Sequence, residues 1–287
     1  MDSSGKNIVN KPNLLVKLGR SPEKPVHISW KINGSLFGFT LGETYLPVTL
    51  IYAEKGDCFV SLRDREVLIE RGSYFICGEN ERFYVSGDRV DEAGAVLLLF
   101  RGGFTSGVVS DSVAGRVLKA EGDFFRVLDT MSNNTNRLST DRQWGDEKFY
   151  EVMMHLTKAD EETEKEIECL TFQKRTSRIE IYKRLNKARD FIRTYYNEKL
   201  SLDKISEEAG LSKYYLIKLF KELYETTPYE YLIRQRIEKA SRMLNSKEKT
   251  ISGICYDTGF ESPSTFSLVF KKHTGLSPRE YRNLQRN

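Results

Sequence analysis

The sequence predicts an α+β protein of more than one domain. Its N-terminal part reads as a β-barrel or sandwich with accompanying helices, and its C-terminal part as all-α. Three observations predict this. Short segments rich in Val, Ile, Phe and Tyr recur about every ten residues between His27 and Phe104. From Ile179 onward apolar residues recur at helical spacing, and one pattern is written twice. The charge divides along the same line: residues 174–287 hold 24 Lys and Arg against 14 Asp and Glu, whereas residues 1–173 hold 21 against 27. A length of 287 residues suits two ordinary domains.

Residues 1–26 are polar, carry Pro12, Pro22 and Pro25, and read as an N-terminal arm. Residues 27–173 form the barrel domain with its C-terminal helices. The segments HISWKI, SLFGFTLG, PVTLIYAE, DCFVSLR, REVLIERG, SYFICG, RFYVSG and AVLLLFRG are separated by Gly, Asp, Asn and Glu, as in an antiparallel sandwich or barrel. In DCFVSLR, Cys58, Val60 and Leu62 fall on one face and Phe59 and Ser61 on the other. Trp30, Phe37, Phe39, Tyr52 and Phe59 occupy strand positions, where they either line an effector pocket or form plain core. Asp123–Met131 reads as a helix and Asn133–Asp141 as a loop. From Asp146 a further helix carries Phe149, Val152, Met153 and Leu156 as one apolar stripe. That stripe is either a seam between two copies of the chain or the cover of its own barrel. The basic, polar stretch Lys174–Arg178 marks the linker, set at 174–180.

The remaining residues, 181–287, hold the duplication. One copy runs Leu202, Ile205, Gly210, Leu211, Leu216, Phe220, Pro228, Tyr231; the other runs Ile251, Ile254, Gly259, Phe260, Phe266, Phe270, Pro278, Tyr281. Spacings agree throughout except for one residue inserted after the second glycine. A short helix, a sharp turn at glycine and a second amphipathic helix make a helix-turn-helix. Glycine suits such a turn because it takes positive φ without steric cost. Between the copies, Pro228–Leu244 reads as a continuous helix about 25 Å long.

At these residues the sequence resembles the DNA-binding domain of AraC/XylS-type transcription regulators, over Arg178 to Arg282. The second copy carries most of the likeness: Ile251-x-x-Ile254, Gly259-Phe260, Ser262, Phe266-Ser267, Phe270-Lys271-Lys272, Gly275, Ser277-Pro278 and Tyr281-Arg282. The resemblance implies a cupin-like N-terminal domain that binds a ligand or mediates dimerisation. It implies double-stranded DNA as partner, a small-molecule effector, a homodimer, and RNA polymerase where the protein activates. Two departures stand out. Where the family often presents an arginine after the Phe-Ser pair, this chain has Leu268, and Pro263 opens that helix. Cys255 replaces a small residue, usually alanine, as a buried thiol would.

A major groove admits one α-helix and displays a readable donor and acceptor code. In the first unit the reading helix starts at Ser212, with Lys213, Tyr214, Tyr215, Ile217 and Lys218 available to bases. Lys218 suits a guanine edge or a phosphate, Tyr214 hydrogen bonding and stacking, and Ile217 a thymine methyl. In the second unit Pro263, Ser264, Thr265, Ser267 and Leu268 make a shorter, weakly polar surface. Lys221, Lys271 and Lys272 suit phosphates, contacts that position a protein without reading sequence. Each lysine is otherwise a solvated charge.

Enzyme readings find little support. The three histidines, His27, His155 and His273, are far apart, so no metal-ligand cluster is expected, and no cofactor. No G-x-S-x-G, phosphate-binding glycine loop or C-x-x-C occurs. The four cysteines are widely spaced, no apolar run reaches membrane-spanning length, and MDSSGKNIVNKPN lacks the form of a signal peptide. A cytoplasmic transcription regulator is expected, under small-molecule control. The alternative is a ligand-independent regulator whose N-terminal domain only dimerises or docks a partner protein.

Overall fold

The structure is a computed structural model that describes residues 29–33, 48–78, 81–87, 94–100, 113–134, 137, 140–172, 174–245 and 249–284. The arm at 1–26, His27, Phe37 and Phe39 lie outside the described residues. The chain divides into two compact units, residues 1–165 and 166–287.

The first unit contains β1 (Ser29–Asn33), β2 (Val48–Lys55), β3 (Cys58–Ser61), β4 (Glu66–Ile69), β5 (Ser73–Cys77), β6 (Tyr84–Gly87), β7 (Gly94–Phe100), β8 (Val117–Lys119) and α1 (Gly122–Asn133). It also holds most of α2 (Arg142–Glu168). Five strands make one sheet in the order β1-β7-β2-β5-β8, and three make another in the order β4-β3-β6. Among the described residues every pairing is antiparallel. The period of two on β2 builds two cores. Ile51 and Ala53 pack with Phe75 and Leu97 against Cys58, Val60, Val67, Ile69 and Val85, which fills the space between the sheets. Leu50 and Tyr52, on the other face, pack with Tyr74 and Ile76 under α1 and α2.

This layering bears on two alternatives that the sequence leaves open. The stripe Phe149, Val152, Met153 and Leu156 packs as the cover of its own unit: all four side chains are buried in the core shared with α1 and the five-stranded sheet. The physical reason is that a sheet face carrying Leu50, Tyr52 and Tyr74 needs an apolar cover within its own unit. Tyr52 and Phe59 meet different surroundings. Tyr52 lies under the helices, and burial pushes its hydroxyl pKa up to about 12. Phe59 alternates with Cys58 and Val60 and so faces away from the core between the sheets. Trp30 pairs with Leu97 in the ladder between β1 and β7.

The second unit is helical: α3 (Arg175–Thr194), α4 (Leu202–Ala209), α5 (Lys213–Tyr224), α6 (Pro228–Leu244), α7 (Ile251–Asp257), α8 (Pro263–Thr274) and α9 (Pro278–Leu284). Within the stretch expected as the linker, Lys174 is the N-cap of α3 and Arg175–Arg178 its first turn. Arg178 and Ile179 are both partly buried, so this turn already belongs to the packed helix. One core gathers Tyr182, Leu185, Ala188 and Ile192 of α3 with Ile205, Leu216, Phe220 and Leu232. The other gathers Ile237, Ala240 and Leu244 of α6 with Ile254, Cys255, Phe260, Phe266 and Phe270. Helix α6 supplies Leu232 to the first core and Ile233 to the second, so a single rod is built into both.

Local chemistry sets the helix starts. Ser201, Ser212, Thr250 and Ser262 each accept a bond from a backbone N–H three residues on. Thr227 does the same at α6, with Pro228 at the first position and the Glu230 carboxylate accepting from the Thr227 N–H in return. The second copy repeats this at Ser277 and Glu280. Thr227→Ala is expected to lower stability by about 1 kcal/mol, measured by chemical denaturation of the full chain. The bonds from Thr227 and Ser277 hold both glutamates below the usual carboxylate range. Because the folded pKa is depressed, their contribution is full above the ordinary glutamate pKa of about 4.3. It is lost as the pH falls through the lowered values.

Candidate nucleic-acid interface

In the first helix-turn-helix, the first unit of the interface, α4 ends at Gly210, whose φ of 61° is left-handed, and the chain re-enters a helix at Ser212. Leu216, Leu219 and Phe220 hold α5 to the core. The opposite face is open. Tyr214 is 71% exposed, and Tyr215, Ile217, Lys218 and Lys221 are exposed beside it. The Tyr214 and Tyr215 rings meet edge to face, 5.8 Å between centroids. Lys213 is already engaged within the unit, in an ion pair with Asp203 of α4. Ser212 is engaged too, as the cap of α5.

The second unit repeats the geometry with a different surface. Its turn is at Gly259, φ 81°, and α8 starts with Pro263 after the Ser262 cap. Phe266 and Phe270 are fully buried and fix which face of α8 is presented. Outward lie Ser264, Thr265, Lys271 and Lys272, with Ser267 half-buried. The Ser262 hydroxyl lies 2.9 Å from the Thr265 hydroxyl and also caps the Thr265 N–H, so Thr265 is partly used in holding the helix start. Leu268 is 74% exposed, an apolar side chain at the centre of this face. Cys255 is buried behind it, with Sγ 3.8 Å from the Phe260 carbonyl.

Three arginines not singled out from the sequence brace this region, two of them within one helix-turn-helix and one, Arg236, between the two. Arg184 donates to the Gly210 carbonyl, Arg282 to the Lys249 carbonyl, and Arg236 to the carbonyls of Tyr196 and Glu198, all at 2.8 Å. The signal was present in a wider reading of the repeat. Arg184-Leu185-x-x-Ala188-x-x-x-Ile192 in α3 matches Arg236-Ile237-x-x-Ala240-x-x-x-Leu244 in α6. Each copy is therefore a long helix followed by a helix-turn-helix. Burial pulls the Arg236 pKa below the usual arginine value, and its carbonyl acceptors offset that loss of hydration.

A family model described as a helix-turn-helix domain matches residues 205–284. The chain is 35% identical over 86 residues to a probable transcription factor, PqrA, of Proteus vulgaris, a match covering 30% of this chain and 70% of that protein. It is 34% identical over 94 residues to the lactose operon transcription activator of Staphylococcus xylosus, covering 33% of this chain and 34% of the relative. Coverage of other curated relatives is similarly partial, 37% and 13% of their own length in two cases. Among solved structures, a transcriptional regulator with an AraC-type DNA-binding domain from Chromobacterium violaceum is 31% identical, with a TM-score of 0.34. That match covers 36% of this chain and 91% of the other.

Proposed function

The chain belongs to the AraC/XylS-type transcription regulators, and from that premise we propose that it reads double-stranded DNA through the open faces of α5 and α8. The observation that carries this reading is the pairing of two open helix faces with two buried ones. Each helix is fixed from behind by buried aromatic and aliphatic residues, capped at its start, and left bare where a groove would receive it. In the first unit Tyr214, Tyr215, Ile217 and Lys218 contact bases, and Lys221 contacts phosphate. In the second, Ser264, Thr265, Ser267 and Leu268 meet the groove, Pro263 packs at its edge, and Lys271 and Lys272 contact phosphate. Ser212 and Lys213 act mainly by holding α5 in place.

The two faces differ in chemistry, so the first unit supplies most of the base discrimination. Lys218→Ala is expected to weaken specific binding by about 1–3 kcal/mol and to relax preference at one base pair. Leu268→Ala, which removes no hydrogen-bonding group, is expected to cost less. Titration of both variants against a selected site and its single-base variants checks the order. A larger loss at Leu268 would overturn the assignment.

In this reading the protein works in the cytoplasm as an activator that engages RNA polymerase, without a catalytic role. The N-terminal unit provides control, either through a small molecule or through assembly. A homodimer formed along α2 would use its outward face, where Tyr150 and Met154 are exposed, because Phe149, Val152, Met153 and Leu156 are occupied. A melting-temperature shift with one compound from a metabolite panel supports effector control. Unchanged melting with intact dimers supports the ligand-independent alternative.

A further inference from the structure

The repeat places one arginine at equivalent positions of α3 and α6, and the two bond differently. Arg184 stays within its own unit: Nη1 donates to the Gly210 carbonyl, and Nε to Glu180 on the same helix. Its counterpart Arg236 reaches out of the second helix-turn-helix. Nε donates to the Tyr196 carbonyl and Nη2 to the Glu198 carbonyl, each at 2.8 Å. Both acceptors lie on the connection between α3 and α4, which belongs to the first helix-turn-helix. The guanidinium also lies 5.7 Å from the centre of the Phe260 ring, in the turn of the second unit. That turn presses on the same connection, since a Cβ built at Gly259 would lie 2.8 Å from the Asn197 carbonyl oxygen. Lys199 and Glu261 add an exposed ion pair across the same junction.

We propose that Arg236 is a positioning residue that fixes the separation and rotation of α5 and α8, so that the protein selects DNA by the spacing between two recognised segments. The proposal rests on α5 and α8 being the reading helices. A single helix such as α6, built into both cores, sets the distance between the units, but bending or twisting of the rod would still let the second shift. A second point of attachment removes that freedom. Backbone carbonyls suit this purpose because their positions are set by the chain and not by a rotamer. The guanidinium suits it because its donors lie in a rigid plane, which lysine cannot reproduce. One inserted base pair turns a DNA segment by about 34° and shifts it by about 3.4 Å, more than a fixed pair of helices can follow.

The test uses the full-length protein and a site selected by it, with one or two base pairs inserted between the two protected segments. Wild type is expected to lose about tenfold in affinity or more on one insertion. Arg236→Ala is expected to bind the original site more weakly yet to lose most of that discrimination. Arg236→Lys should behave alike, since it keeps charge and stem but not the paired donors. Arg184→Ala should keep the wild-type ratio. Circular dichroism establishes that each variant is folded, and if Arg236→Ala is not, Arg236→Lys decides. Arg236 variants that keep the wild-type spacing ratio overturn the proposal, as does a wild type that selects a site but ignores its spacing. A wild type that selects no sequence overturns instead the assignment of α5 and α8 as readers.

Discussion

Phe220→Ala and Phe266→Ala are each expected to cost about 3–5 kcal/mol, the largest losses for single substitutions in the C-terminal unit. Both side chains are fully buried at the centre of their cores. Phe220 has the Tyr224 and Tyr231 rings at 4.6 and 5.7 Å, and Phe266 has those of Phe260 and Phe270 at 5.2 and 5.6 Å. An alanine would leave a cavity that these rings cannot close without dragging a reading helix. The sequence provides the measurement. The chain's two tryptophans, Trp30 and Trp144, lie within residues 1–165, so tryptophan fluorescence follows the first unit. Far-UV circular dichroism follows mainly the helices of the second. Denaturant should shift the dichroism transition of each variant far more than the fluorescence transition. Equal shifts would contradict separate cores.

Gly259→Ala is expected to destabilise by about 3 kcal/mol, and Gly210→Ala by about 1 kcal/mol. Both positions have positive φ, 81° and 61°, which costs a side chain about 1–2 kcal/mol. They differ in what surrounds them. At Gly210 a Cβ would meet only the tip of Arg184 at 3.5 Å, a flexible group that can move. At Gly259 it would meet the Asn197 backbone at 2.8 and 2.9 Å, which moves only with the chain, and Arg236 at 3.0 Å. Thermal melting of the two full-length variants checks the order. A Gly210 variant as damaged as the Gly259 variant would show that backbone strain, and not the close approach, dominates.

The duplicated helical unit was legible because its determinants are local. Turn glycines, Ser and Thr caps and buried phenylalanines at fixed spacing specify both helix-turn-helix units, and the rod forms over the expected Pro228–Leu244. The alternation of β2 and β3 was legible too. Which face of a strand meets which layer was not. Tyr52 and Phe59 alternate like any strand residues, and only the pairing of two sheets and the docking of α1 and α2 decide what they touch. The stripe on α2 shows the same ambiguity, since an amphipathic helix announces an apolar partner without naming it. Composition does not tell a linker from a helix start at Lys174–Arg178, since the first turn of a helix needs no apolar residues. Arg236 escaped notice because its partners are carbonyls, which every residue has and no spacing reveals.

Whether α5 and α8 together read a defined DNA site is tested by selection of genomic fragments with the full-length protein, followed by footprinting at two salt concentrations. A preferred sequence is expected, with protection over two successive major grooves, about 34 Å apart, that persists at the higher salt. Protection without a preferred sequence, lost steeply as salt rises, would mean phosphate contacts alone and would contradict it.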